Sequence, residues 1–145
     1  MLHVEMIGPV LAAPCVVLAV EAMIPAGFPS PAADYIEGRI DLAEILVPHP
    51  SATFTLRIWG HSMTRAGIHD NDVALVDRSL EPRSGDVEVA VLDGEFACKR
   101  LVIRDGRTWL APDSDDPGHR PVEVTGRPDF EIWGGVTSTI RFHRR

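Results

Sequence analysis

The stretch DVEVAVLDGEFACKRLVIRDG, from Asp86 to Gly106, leaves the chain little choice of local structure. Val87, Val89 and Val91 alternate with their neighbours, and after Asp93-Gly94 the positions Ala97, Lys99, Leu101 and Ile103 do the same. A period of two places alternate side chains on one face of a strand, and Asp-Gly between two such runs favours a two-residue hairpin turn. The same pattern recurs in ATFTLRIWG, RTWLAP, PVEV and FEIWGGVTSTIRF, while DVALVD has the continuous apolar character of a buried strand. With 12 Gly and 12 Pro as punctuation and no long stretch of helical periodicity, a mainly β fold of short strands and hairpins is expected. A chain of 145 residues suits one domain and can bury roughly 70% of its unfolded surface.

The N-terminal part follows other rules. Residues 1–24 are expected to form an apolar arm lying on the domain or on a partner chain. Met6 to Val20 is too short for a membrane span and is interrupted by Pro9 and Pro14, and MLHVE lacks the basic start of a signal peptide. PAGFPSPAADY, Pro25 to Tyr35, should be an exposed, extended linker, because proline fixes φ and biases the residue before it. In SPAADYIEGRIDLAEIL a short helix over Leu42 to Leu46 is expected, capped by Asp41 and ended by Pro48 and Pro50.

Net charge is −7, so counterion release offers nothing to duplex DNA and protein partners are expected instead. Cys15 and Cys98 have no C-x-x-C spacing, which suits a reducing cytosol. Asp113, Asp115, Asp116 and His119 lack the spacing of a calcium loop and are expected to be solvated. Trp59, Trp109 and Trp133 are expected in the core or at a dimer contact. Met63 should pack beneath its turn or line a groove.

Ser62, in LRIWGHSMTRAG, follows a strand-like run and a glycine, on what should be an exposed turn. As a nucleophile it would need a base. His61 is a poor one, since adjacent side chains of extended backbone point apart. The G-x-S-x-G elbow fails because Thr64 stands at the second glycine position. Lys99 is the better candidate: among apolar neighbours a lysine loses its proton more easily, and a neutral lysine can serve a serine. An exposed edge lysine is the simpler reading of the same alternation. Periodicity leaves both open.

Taken together, AGFPSPAADYIEGRIDL with HPSAT, G-x-S-M at Gly60 to Met63, GIHDNDVALVD, SGDVEVAVLDGEFACKRL and IWGGV resemble the UmuD family of self-cleaving serine proteases. That family is related to the peptidase domain of LexA-type repressors. The resemblance spans about Gly27 to Phe142 and implies a mainly β, LexA/UmuD-like peptidase domain of short twisted strands with an extended N-terminal arm. It implies Ser62 as nucleophile, Lys99 as general base and the backbone N–H groups of His61 and Ser62 as oxyanion hole. The cleaved bond would be Ala26-Gly27, so that residues 1–26 are an arm removed on self-cleavage and 27–145 are the peptidase domain. His61 departs from the aspartate usual at that position, though only its backbone would be needed.

The implied setting is cytoplasmic. Cleavage is stimulated by a RecA–single-stranded-DNA filament, and the processed homodimer joins a UmuC-like Y-family polymerase subunit in SOS mutagenesis. No metal, other cofactor, membrane or direct DNA contact is expected. Twenty-six residues before the cut are too few for a LexA-type helix-turn-helix domain. Two other readings remain: a signal-peptidase-like Ser-Lys hydrolase, and a non-catalytic dimeric regulator of a polymerase.

Overall fold

The computed structural model describes residues 3–9, 13–20 and 36–144, in two compact units, one of residues 1–11 with 49–145 and one of residues 12–48. The linker expected over Pro25 to Tyr35 lies outside the described residues.

The larger unit is an eight-stranded antiparallel sheet in the order β1-β4-β5-β10-β6-β7-β8-β9. Its strands are β1 (His3–Pro9), β4 (Thr53–Trp59), β5 (Val73–Asp77), β6 (Val87–Leu92), β7 (Glu95–Arg104), β8 (Arg107–Ala111), β9 (Val122–Glu123) and β10 (Phe130–Ile140). The hairpin read from Asp86 to Gly106 is β6–β7. Asp93 (φ 53°) and Gly94 (φ 76°) both take positive φ, as a turn matching the right-handed strand twist requires.

Strands β6 and β7 are covered on both faces. Val89 and Cys98 pack with Leu56, Ile58, Met63, Val76 and Trp133. Ala90 and Leu101 pack with Leu110 and Val124 in a second cluster. Trp133 lies between Phe54 and Phe96, each ring 5.3 Å away, with the Arg78 guanidinium 4.6 Å over it. Trp59, by contrast, is 42% exposed and lies outside the core.

Within the N-terminal arm, expected on the domain or on a partner chain, residues 3–9 form a regular strand. β1 pairs antiparallel with β4 along the sheet edge and ends at Pro9, as suits a proline in an edge strand. In the smaller unit β2 (Val16–Val20) pairs with β3 (Ile36–Asp41). The helix α1 (Leu42–Leu46) follows as expected, and the Asp41 carboxylate accepts from the Ala43 N–H at 3.0 Å. The same carboxylate accepts from Cys15 N–H at 2.8 Å, so the cap also ties the start of β2 to the end of β3.

Candidate active site

β4 runs out at Trp59, and Gly60 turns the chain with φ 103°, a left-handed conformation that costs glycine little. Its N–H donates to Asp70 Oδ1 at 2.8 Å. Met63 has no exposed surface and anchors the turn in the core, while its carbonyl accepts from the N–H groups of Ala66 (3.1 Å) and Ile68 (3.2 Å). Buried anchor and positive-φ glycine together present Ser62.

Ser62 was expected on an exposed turn, but only 1% of its surface is exposed. The loop after β8 lies over it: the Asp113 N–H donates to the Ser62 carbonyl, and the Arg65 N–H donates to the Asp113 carbonyl, both at 2.8 Å. Burial here comes from a segment fifty residues downstream, which no local pattern reveals.

Lys99 sits in mid-β7, and its Nζ donates to Ser62 Oγ at 2.6 Å. Burial disfavours the ammonium and lowers the lysine below its ordinary value of 10.5, with the neighbouring Cys98 thiol acting weakly in the opposite sense. Once neutral, the amine can accept the serine proton along the same line. The direction of that shift is the one a general base needs. His61 is exposed, and among the described residues the N–H groups of His61 and Ser62 are not engaged by another backbone or side-chain acceptor. Ala26 and Gly27 lie outside the described residues.

Two neighbours were not foreseen. Glu88 stands opposite Lys99 in the β6–β7 ladder and is 2% exposed. Its Oε2 has no hydrogen-bond partner among the described residues. Burial first, then the nearby Asp86 charge, push its carboxyl up to about 7. Its place in DVEVAVLD gave an alternation but no sign of which face is covered. Cys98, wholly buried, has its thiol pushed up to about 12 by desolvation and is chemically quiet.

The loop from Pro112 to Arg120 divides in two. Asp115 is solvent-exposed, as expected, and Asp116 largely so. Asp113 is not, because its carboxylate accepts from Arg100 Nη2 at 2.9 Å. Ser114 Oγ and His119 Nδ1 are hydrogen-bonded at 2.6 Å. No cluster of three or more His, Cys, Asp or Glu suited to a metal ion occurs among the described residues. None of the described helices is long and apolar enough to cross a membrane.

Residues 18–137 match the family described as "Peptidase S24-like". The chain is 48% identical over 115 residues to "Protein ImpA" of Salmonella typhimurium, covering 79% of this chain and 77% of that one. It is 46% identical over 123 residues to "Protein MucA" of Escherichia coli, covering 83% and 81%. To the "LexA repressor" of Xylella fastidiosa it is 36% identical over 112 residues, covering 77% of this chain and 52% of the repressor.

Proposed function

Because the chain belongs to the peptidase S24-like family, in its UmuD group, we propose that this serine peptidase of the SOS response cuts its own backbone at Ala26-Gly27. Ser62 is the nucleophile and Lys99 the general base. The observation that carries the reading is the 2.6 Å contact between Lys99 Nζ and Ser62 Oγ in a buried setting.

Neutral Lys99 takes the Ser62 proton as Oγ bonds to the Ala26 carbonyl carbon. The N–H groups of His61 and Ser62 receive the oxyanion that forms, each such donor being worth about 10²–10³ in rate. The intermediate collapses by breaking the bond to Gly27 N, and the Lys99 ammonium returns its proton to that nitrogen as it leaves. Water, deprotonated by the again neutral Lys99, then attacks the Ser62 ester of Ala26 and frees the serine.

Residues 1–26 are thereby released. The product from Gly27 onward forms a homodimer and joins a UmuC-like Y-family polymerase subunit for translesion synthesis, and a RecA–single-stranded-DNA filament stimulates the cut. The relationship to ImpA and MucA supports this setting. Intact mass after incubation with RecA, an ATP analogue and single-stranded DNA tests it. The expected large product begins Gly-Phe-Pro-Ser-Pro in the wild-type chain and is absent from Ser62→Ala. A cut at another bond, or cutting in Ser62→Ala, rejects the assignment.

A further inference from the structure

The two halves of the dyad do not meet through the sheet ladder. Ser62 follows β4 and Lys99 lies on β7, and the strand order puts β5, β10 and β6 between them. Something outside the ladder must keep the serine turn in register with the lysine strand. Asp113 is placed to do so. It stands two residues past Ala111, the last residue of β8, which pairs with Arg100 of β7. Pro112, which has no N–H to give the ladder, ends the pairing and releases the chain toward Ser62.

Asp113 then makes contact in both directions. Its backbone N–H donates to the Ser62 carbonyl and its carbonyl accepts from Arg65 N–H, each at 2.8 Å, so it brackets the serine turn from both sides. Its carboxylate accepts from Nη2 of Arg100 at 2.9 Å, and Arg100 directly follows Lys99. Nη1 of Arg100 donates to the Gly85 carbonyl at 2.5 Å, and Gly85 N–H donates back to Leu101 at 2.7 Å. The guanidinium is thus fixed at both ends. A planar fork with two acceptors holds its orientation better than a single contact does.

We propose that Arg100 and Asp113 form a positioning pair that keeps Ser62 Oγ within reach of Lys99 Nζ. The inference rests on the reading of Ser62 and Lys99 as the reacting groups. The pair touches neither Oγ nor Nζ and acts through the backbone of residues 62–65. It sets distance, and the proton affinity of Lys99 is left to burial.

Self-cleavage of the full chain, followed from pH 7 to pH 10.5, separates those two effects. Arg100→Gln and Asp113→Ala should lower the rate at every pH by about ten- to a hundredfold, the cost of a misplacement near 1 Å, with the midpoint of the pH profile unmoved. Asp113→Asn keeps an oxygen for Arg100 and should recover most of the rate. A shifted midpoint with an unchanged plateau, or wild-type rates in Arg100→Gln and Asp113→Ala, would overturn the proposal.

A second arm does not depend on cleavage. In a Ser62→Ala background, amide hydrogen exchange at Arg65 and Asp113 should quicken when Arg100→Gln is added, and stay slow with Asp113→Asn. Unchanged exchange sinks the pair even if the wild-type chain never cuts itself. Quickened exchange without any wild-type cleavage sinks the dyad and leaves the clamp standing.

Discussion

Lys99 and Glu88 stand opposite one another on neighbouring strands and share a sheet face, yet they are not an ion pair. Were they paired, the lysine would hold its proton more tightly and the carboxyl would lose its own more easily. Both shifts run the other way: burial lowers Lys99 and raises Glu88. The amine is turned to Ser62 Oγ, and the carboxyl lies over Gly135, where an added Cβ would be 3.4 Å from Oε2. A buried base that meets a serine is available for proton transfer. A buried acid whose Oε2 has no hydrogen-bond partner among the described residues is a cost to the fold.

The largest expected effect breaks the base. Lys99→Arg puts a permanently charged guanidinium at the site, which cannot accept the serine proton. Self-cleavage should fall by about a thousandfold or more, measured as product by intact mass over a day. An active arginine variant would remove Lys99 from the chemistry.

The next concerns stability. A carboxyl raised to about 7 from 4.5 keeps its proton in the native chain after the unfolded chain has released it. Stability is therefore lost as pH rises from 4.5 to about 7, and no more is lost above that. The full shift corresponds to about 3 kcal/mol. Glu88→Gln should accordingly gain on the wild type by roughly 2–3 kcal/mol between pH 4.5 and pH 8 in urea unfolding. A stability difference that does not change with pH would show that Glu88 is solvated or partnered.

The smallest expected effect is none. If the carboxylate does not face the amine, Glu88→Gln should leave the pH profile of self-cleavage in place. A midpoint displaced downward in that variant would mean that the charged carboxylate had been holding Lys99 protonated.

What could be read in advance divides by how local its cause is. The β6–β7 hairpin and the Asp41 cap depend on residues within a few positions, Asp93-Gly94 and Ala43, and both were legible. Alternation put Leu101 and Ala97 on the face of Lys99 but fitted an exposed edge lysine as well, and only the family resemblance singled the lysine out. The pairing of β1 with β4 was not legible, because an apolar run broken by prolines fits an arm as well as an edge strand. Burial of Ser62, pairing of Asp113 with Arg100 and burial of Glu88 each depend on segments brought in from far along the chain. Periodicity says which residues share a face and leaves open what covers it.

The central claim is that neutral Lys99 activates Ser62, and the pH profile of unstimulated self-cleavage tests it most directly. Rates should be followed by intact mass from pH 6 to pH 11, in the wild-type chain and in Ser62→Ala. Because only the neutral amine can take the proton, the rate should rise with pH, and because burial lowers Lys99, it should level off at a midpoint below 10.5. Ser62→Ala should yield no product at any pH. A rate flat across the range, or product from Ser62→Ala, would contradict the dyad.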